Sequence, residues 1–211
     1  MAIGETPPFP RGKTRYDGDT ITSTNLGGVT EEGKEYFFVD YDMSTSPPYK
    51  TRTDRIVKCR LVRNASGIAL LPKRLVRYQK TAGNYKKRVD GYCAITAEDW
   101  AGVVDEWLTS AGVPNNDLFY IAISGPTNVL MPLAEAEFTG AVAIGDALVA
   151  LTAATSQATT AGRVAEQDFS GSNVTGSALA NQVMNMIGRA LTARTTANTN
   201  TDMLVDLHYR F

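Results

Sequence analysis

The chain has 211 residues, a formal net charge of −1, two cysteines, one histidine and one-fifth charged side chains. A chain this long buries roughly 70% of its unfolded surface on folding, which excludes full disorder and a disulfide-stapled mini-fold and leaves one domain, with room for an arm and a subdomain. Threonine, at 24, outnumbers every ionisable residue type and glycine reaches 18, a composition of strands and turns rather than of an apolar enzyme core.

Met1 to Pro8 has neither a basic n-region nor an apolar h-region, and no run approaches the roughly 18 consecutive apolar residues of a membrane span. The expectation is a protein made in a cytosol, neither exported by a signal peptide nor inserted in a membrane. Cys59 and Cys93 stand in no metal or redox spacing and read as buried thiols.

Residues 1–34 are rich in proline and glycine (Pro7, Pro8, Pro10, Gly12, Gly18, Gly27, Gly28, Gly33) and poor in large apolar side chains. They read as an arm: either a loose tail, or an extended segment that adds to a neighbour's sheet or surface through recurring anchors such as Ile3, Phe9 and Tyr16. From Glu35 the aromatic and β-branched run to Tyr41 predicts a strand, broken by Ser46-Pro47-Pro48. Residues 55–63 and 68–78 are two more strand candidates joined by a turn at Asn64-Ala65-Ser66-Gly67, with Pro72 confining part of the second to an edge or bulge. Trp100, Val103, Val104, Trp107 and Leu108 fall at helical spacing. With Thr96 as N-cap and Gly112 as stop, they predict an amphipathic helix near 97–109 that buries both tryptophans. The acid pairs Glu98/Asp99 and Asp105/Glu106 then fall on its solvent side.

After Pro114 the chain reads as repeated short strands. Phe119–Ile123 and Val129–Met131 flank a turn at Ser124-Gly125-Pro126-Thr127. Gly145-Asp146 turns inside an apolar run, 152–161 is small and polar, and a strand restarts at Gly162. Residues 178–187 fit a short helix or a strand equally. The last two strands, 189–193 and 202–207, bracket a polar tip, with Met203, Val205, Leu207 and Tyr209 alternating against Leu204, Asp206, His208 and Arg210.

Charge is unevenly distributed. Residues 50–88 carry thirteen basic side chains against the single acid Asp54, whereas the remainder holds eight basic and twenty-one acidic residues. Such a segment suits a phosphate backbone. Against that, Val57, Cys59 and Leu61 alternate with Lys58 and Arg60 like one solvated strand face, and no aromatic stacking motif accompanies the charges. A third reading is complementarity between the basic segment and the acidic remainder, across subunits or against an acidic protein lattice.

Chemistry finds little support. His208 has no metal-ligand or catalytic partner at motif spacing. Arg11-Gly12-Lys13-Thr14 ends like a phosphate-binding loop, but Pro7 stands where the first glycine belongs and no strand precedes it. Nucleophile-elbow and dinucleotide motifs are missing in usable form. Asn64-Ala65-Ser66 and Asn173-Val174-Thr175 match the glycosylation pattern but read as turns. The sequence thus predicts no catalytic residue, no metal and no cofactor.

The succession Asn116-Asp117-Leu118-Phe119-Tyr120, Gly125-Pro126, Ile144-Gly145-Asp146-Ala147-Leu148-Val149, then Thr159 to Val164, Ile187 to Leu191 and Thr196 to Asp202 before an apolar last strand resembles the head decoration (cement) proteins of tailed bacteriophages and related prophage structural proteins. The resemblance covers about 117–211; residues 35–115 depart from the smaller members. It implies a mainly β protein with a small β-barrel or β-tulip-like domain, a homotrimer on the outside of a capsid, and no catalytic residues.

The combined expectation is an arm at 1–34, a strand-rich subdomain with one helix at 35–115, and the β-barrel or β-tulip-like domain at 116–211. Trimerisation would bury the apolar strand faces near 118–149 and 188–207. The partner would be the major capsid protein lattice, with no membrane, no nucleic acid and no small-molecule substrate, and the location the virion exterior. Candidate capsid contacts are Ile3, Phe9, Arg11, Tyr16, Arg52, Arg55, Arg74 and Arg77. The alternatives are a tail or fibre-base protein, then a nucleic-acid module through 50–88.

Overall fold

The computed structural model describes residues 7–15, 32–93, 100–131, 141–150, 164–166, 186–194 and 201–208. Among them the protein is mainly β, a single mixed sheet with no helix. The strands are β1 (Glu35–Asp42), β2 (Lys50–Asn64), β3 (Leu75–Tyr78), β4 (Arg88–Tyr92), β5 (Trp100–Val104), β6 (Leu118–Met131), β7 (Ala147–Ala150), β8 (Val164–Glu166), β9 (Met186–Ala190) and β10 (Thr201–Leu207). Their order is β1-β2-β4-β3-β5-β6-β10-β9-β7-β8, and β2 also pairs with β6 directly, so β2, β4, β3, β5 and β6 form a partial ring. All pairings are antiparallel except the short parallel contact of β2 with β4.

Strand alternation sends the two faces of β2 and β6 into different cores. Val62, Phe119, Ile121 and Ile123 join Val76, Tyr78, Val89, Ala101 and Val104 in one. Val57, Cys59, Leu61, Leu118, Tyr120 and Ala122 join Tyr36, Val129, Leu148, Ile187, Met203, Val205 and Leu207 in the other. The apolar faces near 118–149 and 188–207, expected to wait for trimerisation, are therefore largely buried against each other within one chain.

The helix expected near 97–109 is overturned. Residues 100–104 form β5, and Thr109 to Gly112 turn back toward Leu70. β5 pairs with β3 on one edge and β6 on the other, and all five of its residues are buried. A strand covered on both faces shows no alternation, so Trp100, Val103 and Val104 match a helical stripe without being helical. Gly102 belongs to the strand instead: a Cβ there would stand 2.6 Å from the Ala122 carbonyl oxygen. Residues 97–99 lie outside the described residues.

The turn expected at Ser124–Thr127 is also overturned, because β6 runs unbroken through it. Gly125 takes φ +89° beside a register shift in β2, and a Cβ there would lie 2.3 Å from the Ile56 carbonyl oxygen. Only glycine combines that backbone with that approach. The bend hands β6 from β2 and β5 to β10, which it meets from Met131↔Thr201 to Gly125↔Leu207.

The turns at Asn64 and Asp146 match their sequence signals, whereas the strand expected at 189–193 lies at Met186–Ala190 and the one expected at 68–78 is confined to Leu75–Tyr78. The Asn64 turn is held by its own side chain, whose Nδ2 donates to Ile68 O at 2.8 Å and Val113 O at 2.9 Å. Asp146 accepts from Ala143 N–H at 2.6 Å, making the turn before β7. β9 pairs antiparallel with β10, whose Met203, Val205 and Leu207 are buried. Residues 152–161, 178–185 and 195–200 lie outside the described residues, as does most of 1–34.

Candidate functional site

Two adjacent carboxylates organise the site. Asp105 and Glu106 follow β5 directly and are only 1% and 4% exposed, so the expectation that they face solvent is corrected. Asp105 takes Arg11 and Glu106 takes Arg52, while Glu106 also lies 3.6 Å from a terminal nitrogen of Arg11. Arg52 of β2 forks onto Glu106 with two bonds of 2.8 Å and onto Asp40 at 2.7 Å. Glu106 also accepts from Asn128 at 2.5 Å and Thr127 at 3.2 Å, both on β6. Asp40, fully buried, sits where the β1–β2 register shifts, and it accepts from Thr53 at 2.8 Å. The irregularity lets two successive β2 side chains reach one carboxylate.

Arg11 supplies the second pairing. Its Nε donates to Asp105 Oδ1 at 3.1 Å, its terminal nitrogen lies 3.0 Å from the same oxygen, and the Gly12 N–H donates to Oδ2 at 2.6 Å. Burial opposes the Arg11 charge, but the opposing charge of Asp105 leads a set that raises its pKa above the arginine value. Burial likewise pushes the Glu106 carboxyl up; the Arg52 hydrogen bonds and charge, then Arg11 and Asn128, outweigh it and hold Glu106 below the ordinary glutamate value. Cys59, beside this cluster, is pushed up to about 12, chiefly by burial. Cys59 and Cys93 are both buried thiols, in no disulfide.

The described arm residues lie on their own chain. Phe9 packs 4.8 Å from the Tyr120 ring, the Tyr120 hydroxyl donates to Phe9 O at 3.1 Å, and Arg15 and Leu118 exchange both backbone hydrogen bonds. The chain is tied again at Glu32, which accepts from Arg63 at 2.5 Å.

At least eight of the thirteen basic side chains of 50–88 pair with acids of the same chain, Glu32 and Glu35 each serving two of them. Arg55 pairs with Asp206, Lys58 and Arg60 with Glu35, Arg63 and Arg88 with Glu32, Lys73 with Asp202 and Arg77 with Asp90. Arg60, expected on a solvated face, is buried and bonded to the Tyr78 hydroxyl.

Comparison with protein-family models, curated proteins and solved structures returns no match.

Of the candidate contact residues, Ile3 and Tyr16 lie outside the described residues. Phe9, Arg11 and Arg52 meet around Tyr120, Asp105 and Glu106, while Arg55 is exposed. Arg74 is buried with its guanidinium 5.3 Å from the Tyr92 ring centre, and Arg77 binds Asp90 at 2.9 Å. Asp40, Asp105 and Glu106 are missing from the sequence candidates, because each meets its arginine only through the fold.

The remaining feature is apolar and exposed. Phe37 (62%), Val39 (45%) and Tyr41 (41%) share the outward face of β1, and Ile56 (60%) stands opposite Val39 on β2. β1 is an edge strand. Beside it a groove of about 490 Å³ is lined by residues 7–11 together with Phe38, Val39, Tyr41, Met43, Tyr49 and Trp107. His208 is exposed, 3.9 Å from Asp206.

Proposed function

We propose that this chain is a structural virion protein that decorates a tailed-phage capsid and stabilises it by bridging major capsid protein subunits. The observation that carries the reading is the stripe of Phe37, Val39, Tyr41 and Ile56 at the β1 edge. An apolar face on an open sheet edge is an aggregation hazard unless a protein partner covers it. The motif order in 117–211 that resembles the decoration proteins supplies the class of that partner. In this reading the strands from β6 to β10 correspond to the β-tulip-like unit, and the protein works as a homotrimer on the virion exterior, joined through surfaces other than the faces already buried. A ligand that binds only the assembled lattice raises its stability by mass action. The acids that engage Arg55, Lys58, Arg60, Arg63, Lys73 and Arg77 within the chain weigh against the nucleic-acid alternative.

The test mixes the purified chain with shells built from the major capsid protein of the virus that carries this gene, then measures bound copies and heat resistance. Saturation at many copies per shell, with a more heat-resistant shell, is expected. Phe37→Ser with Ile56→Ser removes binding while costing the free chain about 1 kcal/mol each, from lost strand propensity and cross-strand packing. Absence of binding, or a handful of copies confined to a tail, refutes the reading.

A further inference from the structure

We propose that β1 pairs with the β1 of a second copy of this chain, antiparallel across a two-fold axis at Phe38, so that the two sheets become one. The inference stands apart from the capsid reading, because it concerns this chain alone. Its first support is an open edge. Among the described residues β1 pairs only with β2. The Leu61 N–H donates to Lys34 O at 2.9 Å, and hydrogen-bonded residues alternate along an antiparallel pair. Tyr36 and Phe38 therefore bond toward β2, while Phe37 and Val39 turn their N–H and C=O groups away from it. Edge strands are usually protected by a lysine, a proline or a covering segment. β1 instead runs Tyr36-Phe37-Phe38-Val39. Residues 7–11 share a groove of about 490 Å³ with it, and Pro7, Pro8 and Pro10 have no N–H to offer the edge. The register shift beyond Val39 places the extra residues, 52–55, on β2; exposure along β1 alternates from Glu35 to Asp42 without a break.

The second support is that this edge is complementary to itself, which names the occupant as a second copy. Residues with outward backbone groups must meet others of the same kind. About an axis at Phe38, Phe37 meets the second copy's Val39, and Val39 meets its Phe37. Each such pair exchanges backbone hydrogen bonds and sets an aromatic side chain beside a β-branched one, a favourable cross-strand combination. The same register brings Lys34 opposite the second copy's Asp42 at both ends, and Glu35 opposite its Tyr41. The Asp42 carboxylate accepts from the Ser44 N–H at 3.0 Å and stands across from Lys50 of β2. In the joined sheet it lies between two lysines, and no like charges face each other. An axis at Phe37 would set Glu35 against Val39, and an axis at Val39 would move Lys34 from Asp42 to Ser44. The contact is isologous, so it closes at two copies. It leaves the outward side of Phe37, Val39, Tyr41 and Ile56 uncovered, and it is compatible with a trimer built through other surfaces.

Cysteine trapping reads the register. Phe37→Cys and Val39→Cys are made separately in the full chain and mixed under mild oxidation; Cys59 and Cys93 are buried and do not compete. A disulfide between the two variants is expected to form at least about tenfold faster than in either variant alone. Asp42→Lys added to both slows it by a similar factor, and Lys34→Asp added to those chains restores it. Should a cysteine variant fail to fold, the unmodified protein decides. Its mass in sedimentation equilibrium is expected to double as concentration rises, and Val39→Pro, which removes an N–H that β2 does not use, abolishes the doubling. Equal rates in the mixture and the single variants, a rate indifferent to Asp42→Lys, or a mass that never doubles overturns the proposal. An edge that meets only a different protein gives the last of those results.

Discussion

Replacing either member of the Arg11–Asp105 pair isolates what holds the arm. Both side chains are almost fully buried, and Asp105 receives the guanidinium at 3.0–3.1 Å and the Gly12 N–H at 2.6 Å. Breaking a buried pair from one side costs about 3–5 kcal/mol when the orphaned charge stays buried. Here the arm can leave and return Arg11 to water, which caps the loss at the free energy of docking. We therefore expect Arg11→Met and Asp105→Asn each to lose about 2–3 kcal/mol in urea unfolding, at the lower edge of that range. The double variant is expected to lose scarcely more than either single one, a coupling of about 2 kcal/mol. Additive losses, with coupling below about 0.5 kcal/mol, would refute the assignment of this pair as the arm's anchor.

Because the Glu106 carboxyl is held below its unfolded value, its contribution is complete above the ordinary glutamate range and is lost as pH falls through the lower folded value. Stability measured between about pH 6 and 2 should decline on that limb, and Glu106→Gln should flatten the limb. Gly125→Ala meets both φ +89° and the Ile56 carbonyl at 2.3 Å; a loss of at least about 2 kcal/mol is expected in thermal unfolding, from left-handed backbone strain of 1–2 kcal/mol plus the clash. Cys59, neutral at ordinary pH and buried, should resist a thiol reagent in the native protein. Arg11→Met should accelerate its modification, and an unchanged rate would show that the arm does not shield it.

Strands with one wet face were legible in the sequence. β1 and β10 alternate because one side meets a core and the other water, and the turns at Asn64 and Asp146 announce themselves through side chains that bond their own backbone. β5 was not legible, since burial on both faces erases the alternation and left a spurious helical stripe. Gly125-Pro126 reads as a turn but is a bend, because its meaning depends on how closely Ile56 approaches from a strand far earlier in the chain. The site failed for the same reason. Asp105 meets an arginine 94 residues away and Glu106 one 54 residues away, and no local pattern distinguishes such carboxylates from solvated ones. Arg11 and Arg52 read in the sequence as contacts with a partner, and their observed partners are in the same chain.

The pairing of the basic segment with acids from β1, β4, β10 and the residues before β1 has a consequence for how the molecule meets others. A charge paired over a few ångströms adds little field beyond a Debye length of about 8 Å at physiological salt, so these pairs weaken the segment's pull on approaching molecules below what its thirteen basic side chains suggest. Association rate constants then shift from the electrostatically guided limit toward the roughly 10⁵–10⁶ M⁻¹s⁻¹ of unsteered encounter, with a correspondingly weaker response to added salt. Discrimination among partners then rests on how long an encounter lasts once apolar surfaces touch, a property of shape and dissociation rate rather than of attraction at a distance.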